Sequence, residues 1–196
     1  MARVVLMASV SLDGFFEGPN REIDWGLVDD ELHWHFNDEL RHAGAFLDGR
    51  VTWELMARFW PTADADPAAP APVVEFAGIW RGTPKIVYSR TLQRAGWNTT
   101  IAREVVPAEI VALKTQASGD LFLGGADLAA TFLRHGLVDE LRLYVHPVLI
   151  GTGTPLFPAS AAPTWLRLVD SRSFAGGVVR LRYLLPGAVE SAAARP

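Results

Sequence analysis

Gly119-Asp120-Leu121-Phe122-Leu123-Gly124-Gly125-Ala126-Asp127-Leu128-Ala129-Ala130-Thr131-Phe132-Leu133 reads as a buried strand that runs through two glycines directly into an amphipathic helix. Leu121, Phe122 and Leu123 form an apolar run without alternation, the pattern of a strand covered on both faces. Leu128, Phe132 and Leu133 recur at helical spacing. Glycine at the junction lets backbone approach a ligand closely, and the free N–H groups at the positive end of the helix dipole suit a phosphate. The same pair also suits a plain packing turn, and the chain lacks the third glycine of a Rossmann fingerprint, so other features must decide.

Upstream, Arg3 to Val10 reads as a buried first strand ended by the turn Ser11-Leu12-Asp13-Gly14. Phe15 to Asp24, with Gly18-Pro19-Asn20, reads as a loop that delivers Trp25 to a helix. Asp29 and Asp30 mark the start of that helix, Leu32, Phe36 and Leu40 give it an apolar face, and Gly44 stops it. Ala45-Phe46-Leu47 is a short buried strand, and Asp48 to Glu54 turns it into a helix running through Leu55, Met56 and Phe59 to Pro61. This is a second strand-to-helix junction with glycine at the turn. Pro61 to Pro72 reads as an irregular surface loop, followed by a short helix Val73 to Arg81, a strand Pro84 to Ser89 and an extended stretch Asn98 to Ala102. Pro107 opens a helix that closes near Gly119.

Beyond Gly136 the pattern changes: Val138 to Val145, Trp165 to Phe174 and Val178 to Leu185 read as strands, the last two joined by a hairpin turn at Ala175-Gly176-Gly177. An alternating βα part followed by antiparallel additions predicts an α/β fold. Its sheet is mixed and mostly parallel, with helices on both faces and antiparallel strands at the C-terminal end. Residues 1–186 are expected to form a single domain and 187–196 a disordered tail.

With 196 residues, 49% of them apolar, the chain can bury one substantial core. A net charge of -4 without a basic stripe argues against nucleic acid or an anionic membrane as partner. The absence of cysteine excludes disulfides, thiolate metal sites and a cysteine nucleophile. No apolar run approaches the ~20 residues of a membrane span, and residues 4 to 10 are too short for a signal peptide, so a cytoplasmic protein is expected. His33 and His35 lie two apart on a helix and face differently, which disfavours a shared metal. No metal site is expected. His146 before Pro147 reads as a strand-end residue.

In a parallel sheet the strand-to-helix junctions lie at the carboxyl edge, where open α/β sheets bind ligands. That edge would gather Gly49, Arg50 and Thr52, Ser89 and Arg90, and the turn Gly124-Gly125 continuing through Ala126, Asp127 and Leu128. Two guanidinium groups, two hydroxyls and two helix N-termini fit a dinucleotide that carries an extra phosphate.

Gly49-Arg50-Val51-Thr52-Trp53-Glu54 resembles the cofactor-binding motif of dihydrofolate reductases, and Ser89 and Gly124-Gly125 resemble that fold's other two cofactor loops. Closer still is the resemblance to the C-terminal reductase domain of the bifunctional riboflavin-biosynthesis deaminase-reductase and its free-standing relatives. Ser11 to Gly14, Ile23-Asp24-Trp25, Gly136 to Leu141, Pro147, and Gly151-Thr152-Gly153 through Leu156-Phe157 carry it. The resemblance implies the three-layer dihydrofolate-reductase-like fold and NADPH as cofactor, with Arg50 on its 2′-phosphate, Thr52 on a bridge phosphate and the nicotinamide near Ala8 and Ser9. It implies reduction of a small heterocyclic or phosphorylated substrate, as in a 5-amino-6-(5-phosphoribosylamino)uracil reductase, in a homodimer. Ser9, Asp13 and Trp25 are the implied substrate contacts. The zinc ligands of the deaminase half have no counterpart, so no deamination is expected.

Dihydrofolate reductase places its acid at the start of the first helix, five residues after a loop Trp. From Trp25 this count reaches Asp30, although Asp29 and Asp30 are equally explained as helix caps. The alternative from another class is a non-catalytic nucleotide-binding dimeric module that retains the fold.

Overall fold

The computed structural model describes residues 1–157 and 163–188. In chain order the elements are β1 (Val4–Ser11), β2 (Phe15–Glu17), α1 (Asp30–Leu40), β3 (Ala45–Gly49), α2 (Arg50–Phe59) with a 3-10 turn at Trp60–Thr62, and α3 (Ala71–Gly82). They continue with β4 (Lys85–Tyr88), β5 (Thr99–Ala102), α4 (Pro107–Gln116), β6 (Leu121–Gly124), α5 (Ala126–Arg134), β7 (Glu140–His146), β8 (Thr154–Pro155), β9 (Arg167–Ser173) and β10 (Val179–Leu184). Eight strands form one sheet in the order β5-β4-β3-β6-β1-β7-β10-β9. The first six of that order are mutually parallel, while β10 runs antiparallel to both β7 and β9. The mixed, mostly parallel α/β sheet expected from the sequence is therefore the observed one.

Continuous apolar runs put β6 and β3 in the middle, where both faces are covered. Leu121 and Leu123 on one face join Leu6, Leu47, Phe132 and Ile110 in the core beneath α4 and α5. Phe122 on the other face joins Val5, Phe46, Phe76 and Trp80 in a second core, beside α3. Strand alternation thus assigns neighbouring residues of one short run to two different cores.

Three expectations shift. Residues 15 to 17, read as loop, form β2, which pairs with β8. The third helix begins two residues earlier than expected, at Ala71, with Pro72 in its first turn. The strand read as ending at Leu47 continues to Gly49, so that Asp48 is buried within it. Of the expected C-terminal tail, residues 189–196 lie outside the described residues.

Alongside its apolar packing, the antiparallel half buries a cluster of charge against α1. Glu140, fully buried, accepts from Arg142 Nε at 2.6 Å and Arg182 Nε at 3.0 Å, and pairs with Arg3. Arg142 and Arg180 both pair with Glu39 of α1, and Arg180 also pairs with Asp170. Burial pushes the Glu140 carboxyl up, but the surrounding guanidinium groups win and hold it below its ordinary range. Removing one member of a buried ionic cluster strands the others without a counter-charge, which typically costs about 3–5 kcal/mol. Glu140→Gln is therefore expected to lower the urea midpoint by an amount equivalent to about 3–5 kcal/mol with an unchanged slope, as measured by equilibrium unfolding.

Candidate active site

Three cavities adjoin along the carboxyl edge of the parallel strands. The largest, about 520 Å³, shares Thr52 with a second of about 310 Å³. The second shares Tyr88 and Thr131 with a third, also about 310 Å³. Together they form one groove.

The second cavity receives the starts of two helices, Gly49 to Thr52 at α2 and Gly125 to Leu128 at α5. Neither N-cap, Gly49 or Gly125, has a side chain to bond the first-turn amides. These amides therefore remain available to an anion, with both helix dipoles positive toward the cavity. A Cβ on residue 124 would sit 2.8 Å from Asp48 Oδ1, and a Cβ on residue 125 would sit 2.6 Å from Thr52 Oγ1. Gly125 also has φ +90, which L side chains rarely adopt. The two glycines thus bring the ends of β3 and β6 within side-chain contact of each other.

Arg50, the first residue of α2, lines the second cavity and donates to Glu54 at 2.8 Å in an exposed pair one turn along the helix. Ser89 and Arg90 line the third cavity with Arg103 and His135. The Ser89 hydroxyl is already engaged, accepting from Leu92 N at 3.0 Å, and Arg103 Nη1 fixes the same turn by donating to the Ser89 and Leu92 carbonyls.

Ala8, Ser9 and Gly124 line the largest cavity with Thr52. It is also lined by three titratable side chains, Asp48, His33 and Tyr144, which the sequence does not mark as site groups. Asp48 is 7% exposed, and burial pushes its carboxyl up to about 7 against the opposing charge of Lys85. Lys85, itself buried, commits its ammonium to the Thr83 carbonyl at 2.7 Å and to that of Trp80. His33 stands edge-on to Trp60 and Phe76, and burial lowers its pKa, opposed by Asp30. The only sequence signal for Asp48 was a carboxylate directly after an apolar run, and such residues ordinarily serve turns.

Three expected site residues lie outside the groove. Asp29 takes the cap of α1, accepting from Leu32 N at 2.9 Å, and leaves Asp30 exposed at the first helical position. Asp13 clamps a distant turn, accepting from Gly151 N at 2.8 Å and Ile150 N at 3.3 Å. The Ser11 hydroxyl and these amides hold the Asp13 carboxyl below its ordinary range. Trp25 packs edge-on against His146 at 5.6 Å, and its indole N–H donates to the Glu22 carbonyl. Among the described residues no cluster of His, Cys, Asp and Glu could hold a metal ion, and no helix is long and apolar enough to cross a membrane.

Residues 2–180 match the family described as the RibD C-terminal domain. The chain belongs to that family. A RibD C-terminal domain relative, the uncharacterized protein YyaP of Bacillus subtilis, is 35% identical over 182 residues, which are 92% of this chain and 94% of that protein. The uncharacterized YwjB of the same organism is 26% identical over 187 residues, covering 93% and 97%. Among solved structures, a protein of Shewanella sp. PV-4 named for riboflavin biosynthesis superposes with a TM-score of 0.71 at 18% identity, covering 93% of this chain and 98% of that one. A Thermotoga maritima diaminohydroxyphosphoribosylaminopyrimidine deaminase/5-amino-6-(5-phosphoribosylamino)uracil reductase superposes at 0.64 with 14% identity, and this chain covers 56% of it. These structures share the RibD-type reductase fold.

Asp48 gives this RibD-type domain a specific pH signature. A carboxyl whose pKa rises on folding contributes fully below its unfolded value, and that contribution is lost as pH climbs through about 7. Asp48→Asn is expected to match the native melting temperature near pH 4 and to exceed it by several degrees at pH 8, in thermal melts at constant salt.

Proposed function

We propose that the protein is an NADPH-dependent reductase of a small heterocyclic substrate. The observation that carries this reading is the groove, in which two uncapped helix starts flank the cavity that links an aromatic chamber to a pocket bearing arginines. A dinucleotide fits that order of chemistry. Gly49 to Thr52 and Gly125 to Leu128 would hold the pyrophosphate, Arg50 with Ser89 and Arg90 the 2′-phosphate, and Ala8 and Ser9 the nicotinamide side. Family membership supports the same assignment. When bound, NADPH supplies hydride, and the protein supplies binding, orientation and exclusion of water. A cysteine-free chain using this cofactor suits the cytoplasm.

NADPH binding is expected at micromolar concentrations, read from quenching or a shift of NADPH fluorescence. Arg50→Ala should weaken NADPH by about tenfold to a hundredfold through loss of one charge-assisted phosphate contact, with little effect on NADH. Its melting temperature should barely move, because an exposed i,i+4 pair such as Arg50–Glu54 contributes only about 0.3–0.5 kcal/mol. Equal weakening of both cofactors would place the 2′-phosphate elsewhere.

We also infer a two-fold homodimer through the antiparallel half. Trp165 is 85% exposed and Leu168 52% exposed beside or on β9, the strand at the sheet edge. Large apolar side chains exposed together at one edge mark an interaction surface. Light scattering at tens of micromolar should give twice the chain mass, and a monomer would exclude this assembly.

A further inference from the structure

The largest cavity differs chemically from the two beside it. Phe36, Phe46, Trp60, Phe76, Trp80, Phe122 and Tyr144 line it, and among the described residues no lysine or arginine does. The cations are all further along the groove: Arg21 and Arg50 line the second cavity, Arg90 and Arg103 the third. His33 adds no dependable charge, since burial drives it toward the neutral form. A phosphate or carboxylate lodged in this chamber would therefore lose its water without gaining a counter-charge.

The polar groups that remain are few. Ser9 and Thr52 offer hydroxyls, and Asp48 offers a carboxyl from the end of β3. Asp48 Oδ1 occupies the space left by the missing side chain of Gly124, so the carboxyl sits at the turn between β6 and α5. Its influences are burial and the charge of Lys85 on β4; Lys85 itself is committed to two backbone carbonyls. The other titratable groups facing the chamber are His33 of α1 and Tyr144 of β7, and the Tyr144 hydroxyl is engaged with His35 Nε2 at 3.0 Å. Among the described residues, Asp48 is thus the one carboxyl lining the chamber.

We propose that this chamber takes an uncharged, planar, unphosphorylated substrate with a polarised C=N or C=O bond, and that Asp48 protonates its heteroatom during reduction. The inference rests on the reductase reading above. In the reaction the carbon gains hydride, the two electrons of which come from oxidation of the nicotinamide. The nitrogen or oxygen takes the Asp48 proton to give CH–NH or CH–OH, and the carboxylate is reprotonated from solvent. Substrate selection is then opposite in charge to cofactor selection within one groove.

A matched pair isolates the charge: 5-amino-6-(ribosylamino)uracil and its 5′-phosphate, offered with NADPH beside an unphosphorylated pterin and 1,4-benzoquinone. At least one uncharged compound should be reduced, and kcat/KM for the nucleoside should exceed that for its phosphate by about 100-fold. Without cofactor, uncharged compounds should quench the fluorescence of Trp60 and Trp80, and the phosphate should not. Asp48→Asn should keep its fold and its NADPH affinity, lose about 10²- to 10⁴-fold in kcat, and lose the fall in rate above pH 7. If NADPH binds but the phosphate is bound or reduced as well as the nucleoside, if no uncharged compound is bound or reduced, or if Asp48→Asn keeps its rate and pH profile, the inference fails and the cofactor assignment stands. If NADPH does not bind at all, both fail.

Discussion

The side chains of Asp48 and Thr52 occupy the volume that side chains at positions 124 and 125 would need. That mutual exclusion sets how closely the ends of β3 and β6 meet, and so how α2 and α5 converge. Two parallel strands one ladder apart, each turning into a helix at the same edge, necessarily aim two sets of unbonded amides at a common space. A larger residue at either glycine would force the turns apart, and the positive φ of Gly125 adds a conformational demand at the same point.

Charge is distributed over the molecule with a clear division. The centre of the sheet is apolar on both faces, whereas β7, β10 and α1 bury an ionic layer around Glu140, Arg142, Arg180 and Glu39. Such a layer adds little net stability over an apolar one. It does demand that every member find its partner, which makes the placement of α1 on the antiparallel half specific. Because α1 also carries His33 and Phe36 into the groove, that specificity fixes one wall of the chamber.

The order of elements was legible because period and punctuation agree: apolar runs for buried strands, helical spacing behind glycine or proline, and a glycine hairpin at the end. The helix-start residues of the groove were legible for the same reason, since Gly49, Arg50, Thr52, Gly124 and Gly125 sit at junctions that topology brings to one edge. What could not be read was the environment of single side chains. Asp48 looks like any turn acid until its strand is seen to extend two residues further. Glu140, Arg142 and Arg180 alternate like a solvent face, and only the position of α1 turns that face inward. Asp30 was reached by counting from Trp25, itself a loop residue, and neither the helix cap held by Asp29 nor the packing of Trp25 on His146 shows in such a count.

The segment after β1 is stitched to the segment after β7 by several independent threads. Leu12 donates to the Val148 carbonyl, Asp13 holds Gly151, β2 pairs with β8, and Leu156 donates to the Gly14 carbonyl. The same segment lends Phe16, Glu17 and Arg21 to the second cavity and Ile23 and Val28 to the chamber. The rim of the groove is therefore a double-layered flap whose two plies are far apart in sequence. Neither ply can lift without tearing the other, so entry of a ligand past this rim must open both as a single cooperative unit, and their amides would lose protection from exchange together.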